Sequence, residues 1–444
     1  MKFGHNMLYL NLTFLTIFLI NIVWLCRADS AFEDNSILDL LQQFENLPLP
    51  KKYEFSDEEM QRNTKAYLSG LDNEDIFLNG TQLIQKYGYK VEVHRTITSD
   101  GYVLPMYRIP GDGPVTFLMH GLLSSFEDWL TIGPEKCLPF ILANAGRDVW
   151  MGNARCNSFA KENVKISSSD SEYCNNSWDE IGRLDLPAMI DYVLETTGQD
   201  NLTYIGHSQG TTAFFVMCSE LLDYDKKINF MVALSAVAWM KHVISPLIRI
   251  ASPFNNLLLL GKALGISTVP PRNVTKAVSL ALCGNSFLAS IICSNANFVL
   301  CGFDYPQIDY ERVPVIFNHN PSESSLKQLQ HYGQLVVSGG FKRYNYGYFL
   351  NLEKYGSPTP PSYPVEKITV PIAIFYSPGD WFANPIDVQT LYEKLPNVVY
   401  YYQMPLPTFN HNDYLFAKDV KTLLYDVVLK YLEERVPFKT ESTD

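Results

Sequence analysis

The chain has 444 residues, of which 47% are hydrophobic and 18% charged, and its formal net charge is -12 at pH 7. This composition is typical of a globular protein and excludes a largely disordered one, and the length allows one large domain with an insertion or two domains. The acidic balance argues against nucleic-acid binding, for which a basic surface is expected.

The amino-terminal segment has the pattern of a targeting signal. Residues 1–28 begin with Lys2, run apolar from Leu8 to Leu25 and end near small residues, which predicts a secretory signal peptide. The apolar run is long enough for an uncleaved membrane anchor to be the alternative. Residues 29–77 are acidic and polar, and both a propeptide and a solvated amino-terminal arm fit them.

Sequons and cysteines agree with passage through the secretory route. Four Asn-x-Ser/Thr acceptor sequences follow the predicted signal, at Asn79, Asn175, Asn201 and Asn273. Of the eight cysteines, Cys26 lies in the predicted signal and seven follow it. An odd number leaves at least one free thiol unless a bridge joins two chains. Cys218 falls in an apolar segment and is interpreted as a buried small hydrophobe.

From residue 87 onward, short strands and helices alternate. The predicted strands are 89–94, 102–109, 115–119, 148–151, 202–205, 230–237, 370–376 and 398–403, and the predicted helices are 139–145, 178–198, 386–395 and 414–433. Pro187 interrupts the second of these helices, so a kink or restart is expected there. The alternation predicts an α/β fold with a mostly parallel sheet and helices on both faces.

The alternation is interrupted between about residues 238 and 365. This stretch contains apolar helical patches, three cysteines and several prolines, and it is interpreted as an inserted, mainly helical cap. The core would then be formed by residues 78–237 and 366–435, and residues 436–444 would be a carboxy-terminal tail.

The segment 201–215 has the pattern expected for a nucleophile elbow. A short apolar strand meets Gly206-His207-Ser208-Gln209-Gly210, and an apolar segment able to form a helix follows. Glycines lack a Cβ, so the strand and the helix can approach closely around a strained turn. The pentapeptide alone fits an ordinary surface turn equally well, so its interpretation depends on partners elsewhere in the chain.

Ser208 needs a base and an orienting acid, because a serine hydroxyl is a poor nucleophile near neutral pH. Such groups follow strands in the chain order serine, acid, histidine. His411 comes after the last predicted strand, and Asp380 comes after the strand before it. Asp387 and Asp413 are weaker candidates for the acid.

The negative charge of a tetrahedral intermediate would need two backbone donors. One is the N–H of Gln209, the residue after the nucleophile, and the other is assigned to Leu122 in the loop after strand 115–119. His120 and His207 are in the wrong positions for the base and are expected to orient loops through hydrogen bonds.

Together these motifs resemble those of the acid lipase family, which includes gastric lipase, lysosomal acid lipase and many insect lipases. The motifs are His120-Gly121-Leu122-Leu123, residues 148–155, Ser177-Trp178-Asp179-Glu180, residues 204–212 and Cys301-Gly302-Phe303-Asp304. The resemblance spans about residues 78 to 433. It implies an α/β-hydrolase fold and hydrolysis of neutral-lipid esters, such as triacylglycerol or cholesteryl ester, with Ser208, Asp380 and His411 as triad and Leu122 and Gln209 as oxyanion donors.

The same resemblance implies features of the cap and of the surroundings of the enzyme. It implies a mobile lid within the cap, a disulfide between Cys283 and Cys293, and a free Cys301. It also implies no cofactor and no metal, transient contact with a membrane or lipid-droplet surface, and a secreted or lysosomal location. Cys156 and Cys174 stand where relatives carry other residues, and we hypothesise that they bond to each other.

Two other functions compete with a lipase. A carboxylesterase for smaller soluble esters would use the same chemistry, although the large apolar cap favours a lipid substrate. A non-catalytic lipid-binding or yolk-type protein on a lipase scaffold would lack a working nucleophile or base, and this chain keeps both.

Overall fold

The structure is a computed structural model that describes residues 55–168, 170, 172–245, 248–249, 267–269 and 301–436. The predicted signal peptide, the Asn273 sequon, the Cys283–Cys293 pair and residues 437–444 lie outside these residues. Within the described ranges, no helix has the length and apolar character needed to cross a membrane.

The centre of the fold is an eight-stranded, mostly parallel sheet. Its strands in chain order are β1 (Glu92–Ile97), β2 (Val103–Ile109), β3 (Val115–Met119), β4 (Asp148–Met151), β5 (Leu202–His207), β6 (Ile228–Leu234), β9 (Ile372–Tyr376) and β10 (Val398–Gln403). The strands β7 (Thr268–Val269) and β8 (Ser324–Ser325) form a separate small sheet. The order of the strands in the central sheet is β1-β2-β4-β3-β5-β6-β9-β10. Only β2 pairs antiparallel, with β1 and with β4, and the other neighbours are parallel. The predicted sheet is therefore confirmed.

Helices cover both faces of this sheet. In chain order, the main helices of the described residues are α1 (Asp57–Leu71), α2 (Gly80–Lys86), α3 (Leu138–Asn144), α4 (Trp178–Glu180), α5 (Leu186–Thr197), α6 (Gln209–Glu220), α7 (Val313–His319), α8 (Leu326–Ser338), α9 (Tyr348–Tyr355), α10 (Pro385–Lys394), α11 (Asp413–Phe416) and α12 (Asp426–Arg435). Alternate residues of β5 enter different cores: Tyr204 packs in the core that includes Phe214 of α6, and Ile205 packs in the core that includes Val428 of α12. Burial on both faces explains why the parallel strands are almost entirely apolar.

Two predicted helices are more irregular than their apolar spacing indicated. The helix around Pro187 is interrupted as expected, but the irregular π-helical turn, Ile181–Asp185, precedes the proline, which occupies the first turn of α5. The prediction of one continuous helix over 414–433 was wrong. Ala417 is extended and forms a bridge with Ile308, so the chain ends α11 there before a second π-helical turn leads into α12.

Residues 55–77, the described part of the predicted arm or propeptide, pack against the rest of the chain. Helix α1 places Tyr67 in a small core with Tyr310 and Val313. After it, Asp75 is buried and accepts hydrogen bonds from Arg312 and Lys86, at 2.7 and 2.8 Å. A buried carboxylate is tolerated because these two cations pair with it. The propeptide interpretation stays a prediction.

Between β6 and β9 the chain leaves the sheet. The described part of this excursion contains α7, α8, α9 and a two-stranded antiparallel sheet formed by β7 (Thr268–Val269) and β8 (Ser324–Ser325). The boundaries of the cap at residues 238 and 365 stay predictions.

Candidate active site

Ser208 lies in a sharp turn between β5 and α6. Its backbone is in the left-handed region, with φ 52° and ψ -116°, which is strained for a residue with a side chain. The start of α6 packs closely against the end of β3: a Cβ added to Gly210 would lie only 2.3 Å from the carbonyl oxygen of Met119. The strand, turn and helix therefore have the arrangement that the pentapeptide pattern predicts.

Ser208, His411 and Asp380 form one hydrogen-bonded row. The Oγ of Ser208 is 2.7 Å from Nε2 of His411, and Nδ1 of the same ring is 3.0 and 3.1 Å from the two carboxylate oxygens of Asp380. A carboxylate can only accept, so this network assigns the ring proton to Nδ1 and leaves Nε2 to accept the serine hydroxyl. All three side chains are buried, with exposed fractions of 7%, 5% and 0%.

The Asp380 carboxyl is held in its charged form. Complete burial raises its pKa. The combined effect of His411, the hydroxyl of Ser235 and the backbone N–H of Ala383 is larger and opposite, so the pKa of Asp380 lies below the usual value. The N–H groups of Phe382 and Ala383 both donate to Oδ1, at 2.9 Å. Hydrogen bonds to the ionised form offset the desolvation of a buried carboxylate.

Cys301 and Gly302 join the loops of Asp380 and His411. The carbonyl oxygen of Cys301 accepts the N–H of Trp381 and that of His411, each at 3.2 Å. Gly302 has φ 110°, and a Cβ there would lie 2.2 Å from the carbonyl oxygen of Gly379, so no larger residue fits. This packing places the acid and the base at a fixed separation.

Two further histidines support the loops. His207 donates from Nε2 to the carbonyl oxygen of His411, at 2.9 Å, and burial, with His411 nearby, lowers the pKa of His207 to about 3. His120 contacts the carbonyl oxygen of Gly121 through Nδ1, at 2.8 Å, and accepts the N–H of Ala154 at Nε2, at 3.0 Å. Burial lowers the pKa of His120 to about 4, so both rings are neutral near pH 7.

The loop of Gly121 and Leu122 lies against Ser208. A Cβ on Gly121 would be 3.1 Å from the Cβ of Ser208. The next residue, Leu123, has φ 57°, and its N–H donates to the hydroxyl of Ser324, at 2.9 Å. On the other side, Gln209 begins α6, so its backbone N–H is at the positive end of a helix that starts at the serine. Both assigned donors thus belong to backbone that borders Ser208.

The weaker candidates for the acid are engaged elsewhere. Asp387 accepts the N–H and contacts the Nδ1 of His242, both at 2.8 Å. Asp413 accepts the N–H of Asn410 at 2.6 Å and lies beside Asp304. Burial raises the pKa of Asp304 to about 6 and that of Asp413 well above the usual value. Neither Asp387 nor Asp413 forms a hydrogen bond with Nδ1 of His411.

Ser235 is a candidate site residue that no sequence motif indicated. Its hydroxyl is 2.5 Å from Oδ2 of Asp380 and 2.7 Å from Nδ1 of His411. The predicted strand 230–237 included Ser235, but β6 ends at Leu234 and Ser235 turns out of it with φ 55°. A polar residue at the carboxyl end of a strand in a parallel sheet is the signal that could have found it.

The cysteines fall into three groups. Cys156 and Cys174 form a disulfide. The free cysteines of the described residues, Cys137, Cys218 and Cys301, are all buried. Cys283 and Cys293 lie outside the described residues. In the described part of the chain, no group of histidine, cysteine and carboxylate side chains is arranged to hold a metal ion.

The sequons differ in exposure. Asn79 is exposed, and its Oδ1 caps α2 by accepting the N–H of Gln82 at 3.0 Å, which leaves the amide nitrogen available for a glycan. Asn175 and Asn201 are half-buried. Asn175 donates from its amide nitrogen to Glu172, at 2.7 Å.

Comparison with known proteins gives two family models and several relatives that span most of the chain. The models are described as a partial alpha/beta-hydrolase lipase region, matched over residues 81–133, and as the alpha/beta hydrolase fold, matched over residues 114–254. The chain is 38% identical over 381 residues to gastric triacylglycerol lipase of Mus musculus, covering 82% of this chain and 94% of that protein. It is 37% identical over 365 residues to Lipase 3 of Drosophila melanogaster, covering 79% of this chain and 91% of that protein.

A solved structure from Sulfolobus solfataricus agrees in fold. It has a TM-score of 0.50 and 18% identity, and the match covers 78% of this chain and 99% of that one. This structure shows the fold alone, whereas the identity and coverage of the two lipases show the family. The chain belongs to the lipase family of gastric triacylglycerol lipase, whose members are carboxylic ester hydrolases on the α/β-hydrolase fold.

Proposed function

We propose that this enzyme hydrolyses carboxylic esters of neutral lipids, such as triacylglycerol or cholesteryl ester, through an acyl-enzyme formed on Ser208. The observation that carries the proposal is the buried row of Ser208, His411 and Asp380, with distances of 2.7 and 3.0 Å between successive partners. A hydroxyl becomes a useful nucleophile when a neutral imidazole can take its proton and a carboxylate stabilises the imidazolium.

The reaction follows from this geometry in two steps. His411 takes the hydroxyl proton at Nε2 while Oγ of Ser208 attacks the ester carbonyl carbon, and the N–H groups of Leu122 and Gln209 stabilise the oxyanion. His411 then protonates the leaving alcohol, and the acyl-enzyme remains. Water, deprotonated by the same imidazole, attacks the acyl-enzyme. As the second tetrahedral intermediate collapses, His411 returns the proton to Oγ of Ser208, and the fatty acid is released.

A neutral-lipid substrate is proposed from the relatives, which include gastric triacylglycerol lipases of mouse and human. The large apolar cap supports the same choice. A carboxylesterase for smaller soluble esters is the alternative, and it would use the same three side chains. A non-catalytic lipid-binding protein is disfavoured, because such a protein has no need of a nucleophile, base and acid in hydrogen-bonding order.

We also propose that the protein passes through the secretory route and acts at a lipid–water interface. The apolar residues 8–25, the sequons and the disulfide between Cys156 and Cys174 support export, since disulfides persist in oxidising compartments. Whether the enzyme is secreted or lysosomal, it would contact a membrane or lipid-droplet surface transiently while a lid within the cap opens.

Activity of the purified enzyme and of Ser208→Ala across acyl-chain lengths tests the proposal. We expect Ser208→Ala to lose at least about a thousandfold in kcat, because the acyl-enzyme can no longer form. Ser219→Ala is the matched control, since Ser219 is also buried but lies at the far end of α6, where its hydroxyl donates to the carbonyl of Val216. Equal rates for Ser208→Ala and the unchanged enzyme would overturn the mechanism.

The physical state of the substrate distinguishes the two candidate substrate classes. We expect the rate on long-chain esters to rise when the substrate forms an emulsion. A preference for soluble short-chain esters, with no gain at an interface, would instead establish the carboxylesterase.

A further inference from the structure

Ser235 lies between the strands that carry the proposed nucleophile and acid. It directly follows β6, whose neighbours in the sheet are β5, which leads to Ser208, and β9, which leads to Asp380. Its N–H donates to the carbonyl of Phe375 at 3.0 Å, and the N–H of Ser208 donates to the carbonyl of Leu234 at 3.1 Å. Hydrogen bonds across the sheet therefore hold its backbone, and its side chain is fully buried.

The direction of each hydrogen bond of Ser235 follows from its partners. Asp380 can only accept, so the hydroxyl proton of Ser235 is directed to Oδ2, at 2.5 Å. The lone pairs of Oγ are then free to accept the Nδ1–H of His411, at 2.7 Å. This N–H is shared with Asp380, whose oxygens are 3.0 and 3.1 Å away. Ser235 thus bonds to both partners on the side opposite Ser208.

We propose that Ser235 is a positioning residue for the reaction of Ser208. The hydroxyl of Ser235 holds the Asp380 carboxylate and the His411 ring in their relative orientation while the imidazolium forms. This inference rests on the proposed function. The Nδ1–H becomes a stronger donor when His411 takes the serine proton, so an acceptor at this place stabilises the transition state more than the ground state. Ser235 is on the far side of the ring from Ser208, so substrate binding should not depend on it.

The other titratable groups around this pair do not compete with it near neutral pH. Burial lowers the pKa of His207 to about 3 and raises the pKa values of Cys301, Asp413 and Tyr414 well above their usual values. His207, Cys301 and Tyr414 are therefore uncharged near neutral pH, and the pKa of Asp380 is lowered, which favours its ionised form. Loss of a hydrogen bond from Ser235 should act on Asp380 and, through it, on His411.

Steady-state kinetics of Ser235→Ala and Ser235→Gly on a soluble ester test the proposal. We expect kcat to fall about tenfold with KM within twofold of the unchanged enzyme, because a hydrogen bond to a charged group is lost. Ser219→Ala should change neither quantity.

Paired variants separate the hydroxyl from the backbone. Alanine keeps the Cβ at φ 55°, whereas glycine adopts this conformation without strain, so a strain effect would make the two variants differ and a hydroxyl effect makes them agree. If alanine prevents folding, as judged by thermal unfolding, the glycine variant decides.

Covalent labelling of Ser208 by a phosphonate ester separates this proposal from the proposed function. If the unchanged enzyme is labelled at Ser208 and turns over esters, but both Ser235 variants keep its kcat, Ser235 has no positioning role. If the unchanged enzyme is neither labelled nor active, the proposed function itself fails.

Discussion

Asp380 is fully buried, and yet its pKa lies below the usual value of an aspartate. Four donors surround it: the N–H groups of Phe382 and Ala383, the hydroxyl of Ser235 and Nδ1–H of His411. Such charge-assisted hydrogen bonds are about twice as strong as neutral ones, so together they offset the loss of water. The charge is available to stabilise an imidazolium at a place where water cannot screen it.

Replacement of Asp380 by asparagine tests the role of this charge. Asp380→Asn keeps the size of the side chain but removes the charge and offers an N–H₂ group that favours the wrong tautomer of His411. We expect kcat to fall by about 10³- to 10⁴-fold, measured by steady-state turnover of a soluble ester. The fold, measured by circular dichroism, should be retained.

Asp387→Asn is the control for that substitution. Asp387 is also buried and bonded to a histidine, but its partner, His242, lies outside the row of the nucleophile. We expect this variant to lose stability while its folded fraction keeps nearly full kcat. A larger loss of kcat in Asp387→Asn than in Asp380→Asn would show that the acid has been assigned wrongly.

At the scale of elements, the loops of the site are held together by a short segment outside the strands of the sheet. Cys301 and Gly302 hold the loops after β9 and β10 together, and Asp304 follows them into a buried position beside Asp413. Two carboxyl groups in one buried place cannot both ionise cheaply, because each charge lacks water and repels the other. The loop that carries His411 therefore rests on a pair of acids that is stable when protonated.

This pair predicts a specific dependence of stability on pH. The pKa of Asp304 is raised to about 6, mainly by burial, from a usual value of 3.8. Between these values the folded state retains a proton that the unfolded state has lost, so the stability contributed by the pair is complete below about pH 4 and declines as pH rises through about 6. We expect Asp304→Asn to be more stable than the unchanged protein at pH 7, by on the order of 1–3 kcal/mol.

Denaturant unfolding of both proteins at pH 4 and pH 7 measures this difference. The stability advantage of Asp304→Asn should vanish at pH 4, where the unchanged pair is already neutral. An advantage that is equal at the two pH values, or that is larger at pH 4, would contradict the assignment of a protonated pair.

At the scale of the whole molecule, helix α8 of the predicted cap is hydrogen-bonded both to the nucleophile turn and to the disulfide loop. The side chain of Gln209 donates to Gln328 of α8, at 3.1 Å, and Gln328 donates to Asn176, at 3.3 Å. Asn176 in turn donates to Sγ of Cys156, at 3.2 Å. The disulfide therefore lies at one end of a hydrogen-bonded chain that crosses from the core to the described part of the cap.

Removal of the disulfide should lower the stability of the protein. The bond joins residues 18 apart in sequence, and constraining a loop of this size disfavours the unfolded chain by about 3 kcal/mol. We expect the double variant Cys156→Ala/Cys174→Ala to lose about 2–4 kcal/mol of unfolding free energy, measured in denaturant without reductant. Cys218→Ala, which removes a buried free thiol, is the control and should cost less. A peptide map with Cys156 or Cys174 as a free thiol would contradict the bond.

Much of the fold could be predicted from the sequence because its signals are local. Short apolar runs bounded by turn residues favour buried strands, and β3, β4 and β10 have the predicted bounds. The Gly-His-Ser-Gln-Gly pattern predicted the turn at Ser208 because the close approach of Gly210 to Met119 excludes any side chain there. Chain order then singled out Asp380 and His411.

Other features depended on contacts between distant residues, which no local pattern contains. Ala417 ends α11 because it meets Ile308, and Asp75 is buried because Arg312 reaches it from more than two hundred positions away in sequence. Ser235 has the same origin: only the pairing of β6 with β5 and β9 brings its hydroxyl to Asp380 and His411. The sequence by itself determined which residue types and strands build the site, since these follow from apolar periodicity and chain order. The tertiary structure alone decided which polar groups share each buried charge, because burial and hydrogen bonding depend on where the whole chain places its neighbours.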